Sequence, residues 1–449
     1  MSQVIPDGLI VSVSGIRGIV GQSLTPQAAT AFAAALGTYL GGGRVVVSRD
    51  SRPSGNMLRH AVIAGLLSSG CSVQDIGIAP TPTCGVAVRH LGASGCIQIS
   101  ASHNPAPWNG LKMFGSDGAV LTAARGAEVR AIFEADSART VAWDKLGEVG
   151  VPPDVQEFHA AAVCEQVSVA AIHASNFRVL VDGNGGAGGP LARHLLQALG
   201  CDVIEHACHP DGHFVHEAEP TPKHLEHVGP MVPRSEAHIG FALDPDADRL
   251  ALIDEKGQCV SEELTLALAV EYRLRQKPGT VVINMSTSRV VEDIATRHAC
   301  LCHRTAVGEA NVVAGMRQLG AVIGGEGNGG VIDPRVGWIR DPFIGMAMIL
   351  HLMAETGKTV SELIGELPSY CMLKTKVEVP KEKLAGALDA IRKRWPDVQR
   401  SEIDGLRLDW PDRWLHVRSS NTEPVVRVIA EAPTLAEAQE LCQQAGACL

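Results

Sequence analysis

A chain of 449 residues with a net charge of −10 is too long for one core and too acidic for a general nucleic-acid binder, which would carry a basic face. Hydrophobic residues make up 45% and charged residues 20%, which fits folded globular units and excludes disorder. No uninterrupted apolar stretch is long enough to cross a bilayer, and Met1 to Ile10 has neither a basic n-region nor an apolar h-region. A cytoplasmic protein of three or four domains, with no membrane and no nucleic-acid partner, is therefore expected. Twelve cysteines without a paired spacing read as reduced, mostly buried thiols.

In chain order, Ser14 to Gly21 is a glycine-punctuated loop carrying Arg17. Thr25-Pro26 reads as N-cap and first turn of a helix to about Tyr39. Val45 to Val47 is a buried strand, Ser48 to Pro53 a polar turn, and a helix from Ser54 ends at Gly70 before a strand at Val73 to Ile76. Alternating strands and helices predict βαβ units on a largely parallel sheet, whose functional loops lie beyond the strand carboxyl ends. Gly95 to Ile99 is such a strand, delivering Ser100-Ala101-Ser102-His103-Asn104-Pro105 into a tight loop. The spacing puts Ser102 at the loop tip beside an imidazole, with its hydroxyl exposed, and gives the unusual backbone to Asn104 before Pro105. Taken alone, the stretch reads more simply as an ordinary Asx or Ser turn, and it is the later loops that overturn that reading.

A hinge at Val151-Pro152-Pro153 marks the first boundary. Arg178 to Asp182 is a strand running into Gly183-Asn184-Gly185-Gly186, which matches neither common nucleotide fingerprint and reads as structural, before a helix from Gly189 to Leu199. His206, Cys208, His209, His213 and His216 crowd one segment, but their spacing fits no common zinc pattern. His238 to Leu243 and Leu250 to Asp254 are apolar strands around Asp244-Pro245-Asp246-Ala247-Asp248-Arg249. Three carboxylates at alternate positions repel one another unless a hard divalent cation sits among them. An EF-hand is excluded, since Arg249 stands where its glycine belongs and the flanks are strands. Three monodentate oxygens leave open positions on Mg²⁺ for a phosphate.

A third unit from Gly257 has a strand at Thr280 to Asn284, then Met285 to Arg289 before a helix. A further strand, Ala321 to Ile323, feeds Gly324 to Gly330, where Glu326 and Asn328 stand among glycines and suit sugar hydroxyls. In the fourth unit, from Cys371, the strand Trp414 to Val417 leads into Arg418-Ser419-Ser420-Asn421-Thr422-Glu423-Pro424 and the strand Val425 to Ala430. Arg418, Ser420, Asn421, Thr422 and Arg427 gather enough donors for a doubly charged phosphate, with a charged hairpin turn as the alternative.

Together these loops resemble those of the α-D-phosphohexomutase family, which includes phosphoglucomutase, phosphomannomutase and phosphoglucosamine mutase. Ala101 to Pro105 is similar to its phosphoserine loop and Asp244 to Arg249 to its metal loop. Glu326 to Gly330 is similar to its sugar-recognition loop, and Arg418 to Pro424 to its phosphate-binding loop. Pro210 to Gly212 and Glu219 to Pro222 are similar to a family linker, which weakens the zinc reading further. The resemblance implies four domains around a central cleft. Residues 1–153, 154–256 and 257–370 would be three similar α/β mixed-sheet domains, and residues 371–449 a smaller α+β domain.

It further implies that Ser102 carries a phosphoryl group whose oxygen meets Mg²⁺ held by Asp244, Asp246 and Asp248. Arg249 would stabilise the transferring charge, and Arg17 and His103 would position the reacting groups. Lys112, in Asn109-Gly110-Leu111-Lys112, would be the general acid or base. Glu326 and Asn328 would hold sugar hydroxyls, and Arg418, Ser420, Asn421 and Thr422 the phosphate that is not reacting. The implied partner is a hexose phosphate, with a hexose 1,6-bisphosphate as intermediate and activator, acting on a monomer or homodimer. Some relatives carry a histidine in the loop matching Val307 to Asn311, and this chain does not. The Gly325 to Gly330 loop is most similar to phosphoglucosamine mutases and phosphomannomutases, while Asn421 stands where many phosphoglucosamine mutases have glycine. Glucosamine phosphate leads, with mannose and glucose phosphates as alternatives. A metal-dependent phosphatase on the same serine gains nothing from two phosphate grips, and a Ser-His-Asp acyl hydrolase lacks its G-x-S-x-G elbow. A non-catalytic sugar-phosphate binder is the remaining alternative.

Overall fold

The computed structural model describes residues 5–12, 15–379, 381–419 and 425–449, with the backbone alone for residues 381 and 382. Four sheets organise them. The first has seven strands in the order Ile10–Ser12, Gly15–Ile19, Trp108–Gly115, Gly95–Ile99, Gly43–Arg49, Cys71–Ile78, Val149–Gly150. Gly43–Arg49 runs parallel to its neighbours Cys71–Ile78 and Gly95–Ile99, whereas Trp108–Gly115, Gly15–Ile19 and Ile10–Ser12 continue the sheet antiparallel. The sheet is thus mixed, as the family resemblance implied, rather than largely parallel as the alternation of strands and helices alone suggested. The connections after Ser12 and Ile99 are too short for a crossover and force hairpins.

The second and third sheets repeat one pattern. Leu250–Ile253, Ile239–Leu243, Arg178–Asp182 and Asp202–His206 form the second; Cys302–Thr305, Val281–Asn284, Ile323–Glu326 and Gly330–Ile332 form the third. In each, three parallel strands end in an antiparallel return strand at one edge. The hairpin linking Gly95–Ile99 to Trp108–Gly115 holds the corresponding place in the first sheet. The crevice beyond Gly43–Arg49 and Gly95–Ile99 is where the chain order reverses, the usual ligand position in such sheets. Three hairpins in equivalent positions therefore carry Ser102, the aspartate triplet and the glycine-rich loop.

Packing joins the second and third sheets. One apolar cluster runs from Val163, Leu191 and Phe241 through Leu268 and Val291 to Phe343 and Leu363. At its centre lies the helix Pro342–Thr356, in which every residue from Pro342 to Met353 is buried. Asp341 caps that helix, its Oδ1 accepting from the amides of Phe343 (2.9 Å) and Ile344 (3.4 Å). Its Oδ2 meets His159 Nε2 at 2.8 Å, and His159 Nδ1 meets Thr83 Oγ1 at 2.9 Å, so one buried polar chain links all three units. The fourth sheet is wholly antiparallel, ordered Cys371–Val377, Val426–Ala432, Trp414–Ser419, Leu406–Asp409, Gln399–Ser401, and is backed by Leu435–Gly446. All twelve cysteines are free thiols. No helix among the described residues is long and apolar enough to cross a membrane.

Replacing Asp341 by alanine removes the cap and leaves His159 without its buried partner. Thermal unfolding is expected to show a loss of about 1–3 kcal/mol.

Candidate functional site

The serine loop departs from its sequence reading in two respects. Ser102 is 3% exposed rather than displayed at a tip, and Ser102, not Asn104, has the left-handed backbone, φ 53°. A buried ion pair explains both. Asp50 and Arg52, at most 1% exposed, pair beyond the strand Gly43–Arg49. Arg52 Nη2 donates to the carbonyls of Ser102 (2.8 Å) and Asn104 (2.6 Å). Asp50 Oδ2 accepts from Ser100 Oγ (2.7 Å), which in turn accepts from the Ser102 amide (2.9 Å). The clamp draws the loop inward and fixes a backbone that a serine otherwise avoids. Phe214, from the second unit, lies under the Arg52 guanidinium at 5.1 Å.

Drawn in, Ser102 Oγ donates to Asp244 Oδ2 at 3.2 Å and lies 3.4 Å from His103 Nδ1. Arg17 Nη1 donates to Asn104 Oδ1 at 2.8 Å. Arg249, burial and Arg17 together push His103 far below the ordinary imidazole value, so its ring is neutral.

The aspartates Asp244, Asp246 and Asp248 are all fully buried, with one ligand oxygen of each within 4.8 Å of the others. Each carboxylate has one oxygen anchored. Asp244 Oδ1 accepts from the amides of Asp248 (3.0 Å) and Arg249 (3.1 Å). Asp246 Oδ2 accepts from Thr81 Oγ1 (2.5 Å) and Lys112 Nζ (2.5 Å), and Asp248 Oδ2 from Lys112 Nζ (2.9 Å) and Arg340 Nη2 (2.7 Å). The remaining oxygens, Asp246 Oδ1 and Asp248 Oδ1, are buried with no protein donor, and Asp244 Oδ2 has only the serine. Three anchored carboxylates each offering an oxygen fit a hard divalent cation. Burial, with Asp248 and Asp246 alongside, pushes Asp244 well above the usual carboxylate range. Against the effect of burial, Asp246 and Asp248 hold Lys112 above its ordinary value. Arg249 pairs with Glu219 at 2.7 Å, which gives the Glu219 to Pro222 linker a place at the site.

On the third sheet the strand extends from Ile323 to Glu326, further than the expected Ala321 to Ile323, so Glu326 ends a strand instead of lying in a loop. Its Oε1 accepts from Asn284 Nδ2 (2.8 Å) and the Gly308 amide (3.0 Å), and its Oε2 faces Arg340 Nη1 at 3.3 Å. Asn328 Oδ1 is buried without a donor. A Cβ at Gly327 would fall 1.7 Å from Glu263 Oε2, and one at Gly330 2.4 Å from Arg340 Cδ, so only glycine fits either position. The amide of Leu250, just after the aspartates, donates to Gly329 O at 3.1 Å and joins the two loops.

In the fourth unit, Ser420, Asn421 and Thr422 lie outside the described residues. Arg418 donates to Asp404 Oδ2 at 2.9 Å while its Nη2 stays buried without a partner. Arg418 is in register with Arg427, and Arg427 with Lys376, so three cations stand abreast across adjacent strands. Asp404 Oδ2 also accepts from the Val307 amide (2.9 Å), and Ser286 Oγ meets His416 Nδ1 (3.0 Å), so the fourth unit touches the loops flanking Glu326.

Sequence reasoning missed Asp50, Arg52, Thr81, Glu309, Arg340, Lys376 and Asp404. Only the Asp341-Pro342 helix start flags Arg340, and it does not reveal the reach of the side chain. The histidine-rich segment contributes structure: His216 Nε2 bonds Asp182 at 2.6 Å. Among the described residues, the aspartate triplet is the one cluster of three or more histidine, cysteine or acidic groups suited to a metal.

Comparison with known proteins gives the family. Four phosphoglucomutase/phosphomannomutase domain families match in series: alpha/beta/alpha domain I over residues 9–140, domain II over 157–257, domain III over 262–370 and the C-terminal domain over 375–445. The chain is 37% identical to a Methanopyrus kandleri protein named "Probable phosphoglucosamine mutase", over 97% of this chain and 96% of that one. It is also 37% identical to a Thermococcus kodakarensis "Phosphoglucomutase/phosphomannomutase", over 96% of each. The chain belongs to the α-D-phosphohexomutase family. A solved phosphoglucomutase/phosphomannomutase family protein from Burkholderia thailandensis superposes with a TM-score of 0.86 at 28% identity, covering 98% of this chain and 96% of that one. The protein is a phosphohexomutase, an isomerase that moves a phosphoryl group within a hexose phosphate.

Replacing Arg52 by alanine would strand Asp50 as a buried charge. Urea unfolding is expected to show a loss of about 3–5 kcal/mol.

Proposed function

We propose that the protein is a phosphoglucosamine mutase working through a phosphorylated Ser102 and a bound 1,6-bisphosphate. The observation that carries this reading is the hydrogen bond from the buried Ser102 hydroxyl to Asp244, beside the two aspartate oxygens that lack a protein donor. A divalent cation such as Mg²⁺, when bound by Asp244, Asp246 and Asp248, supplies Lewis-acid stabilisation to the transferring phosphoryl and offsets the negative charge that now raises Lys112.

The chain's own residues supply the rest. Transfer breaks the bond from Ser102 Oγ to phosphorus and forms one from the free sugar hydroxyl oxygen to phosphorus. The sugar hydroxyl gives its proton to an acid/base group, for which Lys112 in its neutral form is the candidate, and that group passes a proton to the departing Ser102 oxygen. After the bisphosphate turns over, the other phosphate returns to Ser102, whose hydroxyl proton reaches the departing sugar oxygen by the same route. Arg249 and Arg17 are the cations nearest His103 in effect, and they add positive potential where phosphoryl charge develops. His103, kept neutral, lends a ring nitrogen to the serine oxygen without adding charge.

The unreacting phosphate would meet Arg418, Arg427 and Lys376. Their cross-strand register gathers charged donors in one place, which suits a dianion. Glu326 and Asn328 would fix the sugar between the two ends, Asn328 Oδ1 as an acceptor awaiting a hydroxyl or amino donor. Relatives from Methanopyrus kandleri and Thermococcus gammatolerans are named probable phosphoglucosamine mutase, which favours glucosamine phosphate. Phosphomannomutase or phosphoglucomutase activity is the alternative, since the most similar relatives carry both kinds of name.

The deciding experiment assays glucosamine, mannose and glucose 1-phosphates side by side with Mg²⁺. Fastest conversion of glucosamine 1-phosphate to its 6-phosphate is expected, and free phosphate without 6-phosphate product would point to hydrolysis instead. Ser102→Ala should abolish turnover and the phosphate seen on the wild-type chain by intact mass after treatment with glucose 1,6-bisphosphate. Undiminished turnover in that variant would sink the serine's role.

A further inference from the structure

We propose that Arg340 is the positioning residue that ties the cation loop to the sugar-binding strand, an inference that rests on the phosphohexomutase reading of the site. Each guanidinium nitrogen faces a different carboxylate, none more than 10% exposed. Nη2 donates to Asp248 Oδ2 at 2.7 Å, Nε to Glu309 Oε2 at 3.1 Å, and Nη1 lies 3.3 Å from Glu326 Oε2. Asp248 belongs to the hairpin of the second sheet, Glu326 to that of the third, and Glu309 opens the helix Glu309–Leu319.

The arginine itself has little freedom. It is 9% exposed, its amide donates to Glu309 Oε1 at 3.1 Å, and the next residue, Asp341, is fixed as a helix cap bonded to His159. Gly330 leaves room for its stem. The contacts extend outward without a gap. Glu326 accepts from the Gly308 amide, Val307 donates to Asp404, and Asp404 accepts from Arg418. A polar chain therefore runs from the phosphate-grip arginine to an aspartate of the cation loop, and Arg340 is its central joint. A planar guanidinium can span three carboxylates, whereas an ammonium is a single point of charge.

Two consequences separate this role from a merely structural one. Removing the charge leaves Asp248, Glu309 and Glu326 facing one another, so the cation loop should bind a divalent ion more tightly. Removing the fork releases Glu326, so sugar recognition should suffer even where the charge is kept.

The test compares full-length wild type with Arg340→Met and Arg340→Lys. Mn²⁺ affinity is measured by calorimetry without sugar, and kcat and KM with whichever hexose phosphate the wild type converts. In R340M, Mn²⁺ should bind about tenfold more tightly and kcat/KM should fall about 100-fold or more. In R340K, Mn²⁺ affinity should stay within about threefold of wild type while KM rises about tenfold. Unchanged Mn²⁺ affinity in R340M, or a KM in R340K equal to that of the wild type, overturns the proposal. Should R340M prove unfolded by circular dichroism, R340K decides alone: raised KM with wild-type Mn²⁺ affinity supports the tie, and any other combination refutes it. A wild type that converts none of the hexose phosphates would defeat the functional reading instead, and the Mn²⁺ comparison of R340M with wild type would then judge Arg340 by itself.

Discussion

Three aspartates buried in one six-residue turn are the constraint around which the rest is arranged. Burying a carboxylate is costly, and burying three within 4.8 Å of one another is tolerable only if cations converge on them. The structure meets that demand from several directions: Lys112 from the first sheet, Arg340 from the loop before the helix Pro342–Thr356, and the backbone amides of Asp248 and Arg249 from the turn itself. These donors saturate one oxygen of Asp244, Asp246 and Asp248 and leave the other. A site balanced wholly by protein cations would have no capacity left for an ion, and one with no protein cations could not pack in its absence. Saturating one oxygen of each aspartate satisfies both requirements.

The supply of donors from separate units follows from the repeated hairpin. In each of the first three sheets a parallel strand runs outward, turns and returns antiparallel, so the turn sits at a strand carboxyl end with its backbone held on both sides. One architectural position is thus filled three times with different chemistry: a hydroxyl and imidazole, a carboxylate triplet, and an acid with an amide in a glycine frame. The amide of Leu250 on Gly329 O and the Ser102 hydroxyl on Asp244 are where the three turns meet. The shared apolar core beneath the second and third sheets, centred on Pro342–Thr356, packs the two against each other.

Much of this was legible in the chain. Alternation and punctuation located Pro26–Tyr39 and Arg178–Asp182 to the residue, because Thr25-Pro26 and the glycines after Asp182 are strong local signals. The Asp-x-Asp-x-Asp spacing announced its chemistry, since no other use of three alternate carboxylates between apolar strands is comfortable. What could not be read was any feature made by distant residues meeting. The burial of Ser102 depends on Asp50 and Arg52, some fifty positions away, and nothing in Ser102 to Pro105 declares it. The turn looked like an exposed tip because its residues are small and polar, and tertiary ion pairing overrode that local preference. Arg340 stayed hidden for the same reason. The extension of the strand to Glu326 was missed because Gly324 and Gly325 weaken any strand signal, and the flanking pairings of Gly324 with Val282 and Ile332 and of Gly325 with Ile283 and Val331 hold them extended.

The buried serine bears on why such a site would isomerise sugar phosphates rather than hydrolyse them. Water competes with a sugar hydroxyl for any activated phosphoryl group, and it wins wherever it has free access. Ser102 is nearly covered, and the aspartates beside it are wholly covered. The recognition side is held by the fourth unit through Val307 to Asp404, Ser286 to His416 and Arg407 to Met285 O. An acceptor admitted to this environment must compensate the polar groups it displaces, including Asn328 Oδ1 and Arg418 Nη2, which lack protein partners. A sugar phosphate can satisfy both at once, with a hydroxyl or amine at one end and a dianion at the other. A single water reaches only one of them, so on the proposed reading the acceptor would be selected by the number of separated polar demands that one molecule can meet.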